Sequence, residues 1–205
     1  FEGIFAGSPY LTGLIEREPQ RLERILTTAP ETRLAELKRE LAAGLQAASS
    51  RPDVMRALRL FKAEVALLTA LADLAGAWPV LEGTAALTEC ADAALNGAVE
   101  FLFRDAVARG QWAAEPDGRV VPAGYIVLAM GKYGSGELNY SSDIDLIVFY
   151  DGDHGRTPAN VEAPAFFVRL TRDLVQLMSE RTGDGYVFRT DLRLRPDAGA
   201  TQLAL

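Results

Sequence analysis

Apolar residues recur with a helical period through the first half of the chain. Leu34, Leu37, Leu41 and Leu45 fall at i, i+3, i+7 and i+11, the stripe of an amphipathic helix. From Pro52, a residue suited to opening a helix, Val54, Leu58, Phe61, Val65, Leu68 and Leu71 keep one face apolar as far as Gly76. Trp78-Pro79 interrupts the pattern, because proline lacks an N–H and clashes with the preceding turn. A further helix over roughly 82–109 presents Leu87, Ala91, Leu95, Val99, Leu102 and Val107, and stops at Gly110. The pattern predicts a helical bundle over residues 1–112.

The period then changes. Glu115-Pro116-Asp117-Gly118 is turn chemistry. Tyr125–Met130 and Ile144–Tyr150 are short apolar runs that read as buried strands. Between about 164 and 182, Phe167, Leu170, Leu174, Leu177 and Met178 give helical spacing, with Gly183 placed as a C-terminal cap. From Tyr186 to Arg195 the chain alternates. Tyr186, Phe188, Leu192 and Leu194 fall on one face, Arg189, Asp191, Arg193 and Arg195 on the other. The fold class is therefore α+β, a helical domain followed over 113–205 by a second domain built on a small mixed sheet.

Composition narrows the function classes. Of the 205 residues 49% are hydrophobic and 24% charged, as in an ordinary globular chain. The net charge of −7 argues against wrapping around a nucleic-acid backbone, which needs a basic face. It leaves room for a small phosphate-bearing substrate, whose charge metal ions can offset. Cys90 is the only cysteine, so no internal disulfide can form and a reducing, cytoplasmic setting is predicted. No apolar run reaches the ~20 residues that cross a bilayer. The start at Phe1 and the end at Leu205 read as those of a fragment.

The chemistry concentrates between Met130 and Leu146. Gly131, Gly134 and Gly136 follow the first strand, and glycines there let a phosphate approach the backbone closely. Lys132 adds a positive charge and Ser135 a hydroxyl. Twelve residues after Gly131 comes Asp143-Ile144-Asp145. On a strand, that spacing puts both carboxylates on one face with Ile144 turned to the core. Two carboxylates so close repel unless a cation lies between them, and Mg²⁺ takes oxygen ligands while sharing its shell with phosphate. Asp191, on the polar face of the later strand beside Arg193, completes an acidic trio. Such a trio suits two metals, or one metal and a base, aligning a nucleophile with phosphorus.

Each part alone has a plainer reading. Asp-X-Asp pairs are commonly surface chemistry, and glycine turns are often structural. Two aspartates on one face of an apolar strand are costly without a partner, however, and metal binding supplies one. Arg51, Arg56, Arg59 and Lys62 lie near one face of the helix that Pro52 opens, and read as a solvated face. His154, isolated in a turn, is no metal ligand, while Cys90, Phe101 and Phe103 read as packing residues.

The run Gly131-Lys132-Tyr133-Gly134, then Glu137 through Ile147, then Asp191-Leu192-Arg193-Leu194-Arg195-Pro196 resembles the bifunctional glutamine synthetase adenylyltransferase/adenylyl-removing enzymes. The resemblance is strongest over 125–197. It implies the DNA-polymerase-β-like nucleotidyltransferase fold and one catalytic half of a longer, two-domain enzyme regulated by PII proteins. The wording Leu138-Asn139-Tyr140-Ser141-Ser142-Asp143-Ile144-Asp145 is closer to the adenylyl-removing half. That half carries out phosphorolysis, in which inorganic phosphate removes AMP from a tyrosine of adenylylated glutamine synthetase and gives ADP. By the resemblance, Asp143, Asp145 and Asp191 bind Mg²⁺ (or Mn²⁺). Gly131, Lys132, Gly134, Ser135 and Gly136 hold phosphate, Ser142 adds a hydroxyl contact or caps its turn, and Arg193 and Arg195 neutralise AMP or phosphate oxygens. Relatives in the wider fold have Gly-Ser where this chain has Gly131-Lys132, so the usual serine's role does not transfer. The alternatives are ATP-dependent adenylylation by the other half, a PII uridylyltransferase, and an inactive nucleotide-sensing domain of the same fold.

Overall fold

A computed structural model describes residues 7–153, 156–194 and 204. The first part is all helix: α1 (Pro9–Arg17), α2 (Pro19–Thr27), α3 (Pro30–Ala47), α4 (Arg51–Leu74) and α5 (Val80–Ala108). Proline occupies the first turn of α1 to α4, where its missing N–H costs nothing. Ser8 and Ser50 cap α1 and α4 through side-chain oxygens. The helix α4 is central, packing against α1, α3, α5 and the later α7 (Ala163–Ser179). Its Val54, Leu58, Val65, Leu67 and Leu68 are completely buried.

The sheet is three-stranded, with β2 (Ile144–Tyr150) between β1 (Tyr125–Met130) and β3 (Thr190–Asp191). β1 runs antiparallel to β2 and β3 parallel to it, so the sheet is mixed. A single-turn helix, α6 (Gly131–Gly134), follows β1 directly. Tyr125, Ile144, Leu146 and Val148 point into the core, while the opposite face leaves Ile126, Leu128 and Phe149 exposed. A continuous apolar core runs from the bundle into the sheet. Its junction is aromatic. Phe103 meets the edge of Trp112 at 4.9 Å, Trp112 stacks on Phe166 at 5.5 Å, and Tyr150 stacks on Phe167 at 4.8 Å. Burial pushes the Cys90 thiol up to about 12, which fits a packing residue rather than a reactive one.

Two charged residues of α4 tie the helices together. Glu64 is 5% exposed and accepts bonds from Arg33 of α3 at 2.7 Å and Arg24 of α2 at 2.8 Å. Arg59 is 1% exposed and spends its guanidinium on backbone carbonyls. It donates to Met55 at 2.9 Å, Leu177 at 3.1 Å, Gly185 at 2.9 Å and also Glu180. The last three receive the end of α7 and the turn beyond it.

These contacts correct three expectations. Arg51, Arg56, Arg59 and Lys62 do not form a solvated face: Arg59 is core, and Arg51 pairs with Asp173 of α7 at 2.5 Å. α7 ends at Ser179 rather than near Gly183, because Arg59 supplies the donors that a glycine cap would have arranged. The alternation across 186–195 also fails. Val187 and Phe188 are both buried, since both N–H groups turn in to the Met178 carbonyl. Pairing stops at Asp191, where the Arg193 N–H folds back to Asp191 Oδ1 at 2.8 Å and Leu194 turns outward. Arg195 and His154 lie outside the described residues.

Burial alone would raise the Glu64 pKa, but the bonds from Arg24 and Arg33 outweigh it and hold the carboxyl below the ordinary glutamate range. A depressed folded-state pKa contributes stability that is complete above the unfolded value of ~4.3 and is lost as pH falls through that region. The thermal midpoint should therefore drop on acidification from about pH 6 to pH 3. Glu64→Gln should cost about 3 kcal/mol at neutral pH and flatten that acid limb, as read by calorimetry across pH. Arg59→Met should cost about 3 kcal/mol in urea denaturation, because it orphans buried carbonyls. It should also speed amide exchange at Val187 and Phe188, the residues that lead into β3.

Candidate active site

β1 delivers the chain directly into the glycine turn. Gly131 has φ +57°, and a Cβ placed there would meet Asp145 Oδ2 at 2.7 Å. The turn is thus built against the acid, as the pairing of Met130 with Asp145 requires. Gly134 is needed for a different reason: a Cβ there would lie 2.4 Å from the Ala129 carbonyl oxygen. The turn closes on itself through Ser135 N–H to Gly131 O at 3.1 Å and Glu137 N–H to Lys132 O at 2.8 Å. It is also pinned to α5. The buried Tyr133 hydroxyl donates to Asp92 Oδ1 at 2.7 Å, and Leu138 N–H donates to Thr88 Oγ1 at 3.3 Å. Burial first, and Asp92 second, hold the Tyr133 phenol well above its ordinary pKa, so it stays a donor.

The acids gather at one corner of the sheet. Asp145 lies in β2 opposite Asp191 of β3, in register. Parallel neighbours are ~4.8 Å apart, and in-register residues share a face. Asp143 immediately precedes β2, with the wholly buried Ile144 between it and Asp145 as anchor. Arg189 holds Asp143, Nε to Oδ1 at 2.5 Å, and reaches the Ser141 carbonyl at 3.1 Å. Arg193 grips both oxygens of Asp191 at 2.5–3.0 Å. Its guanidinium is held protonated by Asp191 first, and also by the charges of Asp143 and Asp145. All three carboxylates therefore act on one cationic group.

Among the described residues, no group of three or more His, Cys, Asp or Glu side chains stands ready to hold a metal ion. The donor chemistry nevertheless fits a hard divalent cation. It offers carboxylate oxygens only, Asp145 and Asp191 are strand neighbours, and a glycine lies where a side chain would crowd Asp145. The arginines in the way are weakly held, because the Arg189 and Arg193 side chains are 59% and 82% exposed and water screens both pairs.

Of the residues singled out from sequence, Asp143, Asp145, Asp191, Arg193 and Gly131 converge here, with Lys132, Gly134, Ser135 and Gly136 on the adjoining turn. Two hydroxyls are engaged locally. Ser135 donates to Lys132 O at 3.1 Å, and Ser142 donates to Asn139 Oδ1 at 2.7 Å, capping its own turn. Arg189 was not singled out, although its place two residues before Asp191 puts it on the same polar face. Asp92 and Thr88 carry no sequence signal, because their partners lie 41 and 50 residues away.

Comparison with known proteins places this chain in a family. A family model described as glutamate-ammonia ligase adenylyltransferase matches residues 1–205. A bifunctional glutamine synthetase adenylyltransferase/adenylyl-removing enzyme of Bradyrhizobium diazoefficiens is 49% identical over 99% of this chain and 20% of its own length. Enzymes of the same description are 50% identical in Rhodopseudomonas palustris, over 100% of this chain and 21% of that protein, and in Xanthobacter autotrophicus, over 99% and 20%. The chain thus spans about one fifth of the length of these relatives. With the match covering every residue from the first helix to the last, the chain belongs to the glutamate-ammonia ligase adenylyltransferase family.

Proposed function

We propose that residues 113–205 form a nucleotidyltransferase domain of the DNA-polymerase-β-like fold, carried on the helical domain 1–112. Its reaction is phosphorolytic removal of AMP from a tyrosine of adenylylated glutamine synthetase. The observation that carries the reading is the register of Asp145 beside Asp191, with Gly131 packed against the Asp145 carboxylate. The relatives are named for action on glutamine synthetase, which points to the protein substrate. The run Leu138 to Asp145 favours the removing direction over the adding one.

In this reaction an oxygen of inorganic phosphate attacks the AMP phosphorus. The bond from phosphorus to the tyrosine oxygen breaks, tyrosine recovers a proton, and ADP leaves. Asp143, Asp145 and Asp191 would hold Mg²⁺, which would supply charge neutralisation at phosphorus. The turn from Gly131 to Gly136 brings backbone, not side chain, up to the incoming phosphate, and Lys132, exposed on that turn, offers it a positive charge. Arg193 and Arg189 sit at the rim with solvent-exposed guanidinium groups, placed to take up phosphate oxygens once they release Asp191 and Asp143.

With adenylylated glutamine synthetase, phosphate and Mg²⁺, the chain should release ADP. Asp143→Asn, Asp145→Asn and Asp191→Asn should each cut that rate about 100-fold or more while the thermal midpoint stays near wild type. Pyrophosphate release from ATP with unmodified synthetase, and no ADP in the first assay, would instead assign the adenylylating direction. Turnover unaffected by all three substitutions would remove the acids from the mechanism.

A further inference from the structure

Most of the glycine turn faces water, but two anchors beside its exposed residues do not. Gly131, Lys132, Gly134 and Ser135 are exposed, whereas Tyr133 is 4% exposed and Leu138, just beyond the turn, is wholly buried. Three glycines in six residues give such a segment wide conformational freedom, which a bound phosphate would have to remove. The fold removes it in advance. On one side Gly131 is packed against Asp145. On the other, Thr88 and Asp92 stand one turn apart on the same face of α5. Asp92 Oδ1 accepts from the Tyr133 hydroxyl at 2.7 Å, and Thr88 Oγ1 accepts from the Leu138 N–H at 3.3 Å.

The chemistry of each contact fixes its direction. A carboxylate only accepts, so Asp92 leaves Tyr133 as the donor. The Thr88 hydroxyl spends its proton on the Thr84 carbonyl at 2.9 Å, which leaves its lone pairs to Leu138. Both contacts carry through to the backbone of the turn. The Tyr133 carbonyl accepts the Gly136 N–H at 3.1 Å, and the Lys132 carbonyl accepts the Glu137 N–H at 2.8 Å. A shift of Tyr133 or Leu138 therefore moves the residues between them. Packing alone asks for none of this. A phenylalanine ring would fill the same space, and Asp92 is itself exposed, so water satisfies its carboxylate without Tyr133. What the two bonds add is a fixed distance between the turn and the helices. Together with Gly131 against Asp145, they set where the turn stands relative to the acids.

We propose that Asp92 and Thr88 are positioning residues for the reaction, acting through the Tyr133 hydroxyl and the Leu138 N–H to hold the glycine turn where phosphate binds beside Asp145. The proposal rests on the reading of that turn as the seat of the phosphate that leaves in ADP. Losing either bond weakens a ligand only through the phosphate that meets the turn.

ADP carries that phosphate and AMP does not, so titration calorimetry with each nucleotide and Mg²⁺ isolates the turn. Wild type should bind ADP more tightly than AMP. Tyr133→Phe and Asp92→Ala should each weaken ADP about three- to tenfold and leave AMP unchanged, the size expected when the constraint of one hydrogen bond is lost. The two together should cost no more than either alone, because they remove the same bond. Asp92→Asn, which keeps an acceptor oxygen, should stay near wild type. Thr88→Val should behave like Asp92→Ala, and Thr88→Ser should restore binding. The thermal midpoint of Tyr133→Phe should stay near wild type. In phosphorolysis, KM for phosphate should rise by the same factor while KM for the adenylylated synthetase does not move. An unchanged ADP affinity in Asp92→Ala or in Thr88→Val overturns the role of that residue. An equal loss of AMP affinity overturns the proposal as a whole, since it marks general damage to the site. If wild type prefers ADP and every variant keeps that preference, the turn stands as the phosphate seat and the positioning role falls. If wild type shows no preference, the phosphate reading of the turn falls and the positioning role with it. If the variants lose the preference while wild type releases no ADP from adenylylated synthetase and phosphate, the positioning role stands and the assigned reaction falls.

Discussion

Asp145 and Asp191 face the same side of adjacent strands in register, and everything near them answers the repulsion this creates. Like-charged carboxylates on one face of neighbouring strands repel each other. Asp143, two residues upstream, adds to the same field. β-structure alone would avoid such a row, so something must hold it. Ile144, wholly buried, fixes β2 so that its neighbours on either side cannot turn away from that face. β3 arrives in register because the carbonyl of Arg189, just before it, accepts the Ile144 N–H at 2.9 Å. The repulsion is met by cations: Arg189 on Asp143 and Arg193 on Asp191.

The helical part holds these pieces in place. Arg59 gathers the end of α7 and the following turn, which fixes where the return to β3 begins. Asp92 and Thr88 of α5 hold the glycine turn from the other side. The aromatic junction of Phe103, Trp112, Phe166 and Phe167 joins the two supports. A buried arginine bonded only to carbonyls is a costly device, since desolvation outweighs the attraction of the Glu180 and Asp184 charges. It sits at the turn that feeds the acidic strand, where it fixes the path of the chain toward Asp191.

Local period made the long elements legible. The stripes beginning at Leu34 and Val54 and the apolar runs at Tyr125 and Ile144 each declare their class within a few residues, and the structure has helices and strands there. The Asp-X-Asp spacing points to a shared face on a strand, and β2 begins at Ile144, with Asp145 inside it and Asp143 just before it. What failed depended on distant partners. The stretch from Tyr186 alternates in sequence, yet Val187 is drawn inward by the Met178 carbonyl and Arg193 is pulled back by Asp191. Arg59 looked like one more surface cation on a helix, and nothing local signals that the end of α7 lies above it.

The same balance of forces explains why the corner is a site and not only a knot of charge. The guanidinium groups that neutralise the acids are largely in water, so solvent screening leaves each pair weak. A compact divalent cation bonded to several carboxylate oxygens answers that repulsion better than two solvated side chains do. The buried pairing of Glu64 shows the contrast. There Arg33 and the carboxylate are enclosed, and Glu64 is satisfied on both oxygens by Arg33 and Arg24. Around Asp145 and Asp191 the cationic partners are loose, the acids are held by the backbone, and a glycine leaves space beside them. A corner built in that way is held open to a better partner than its own arginines.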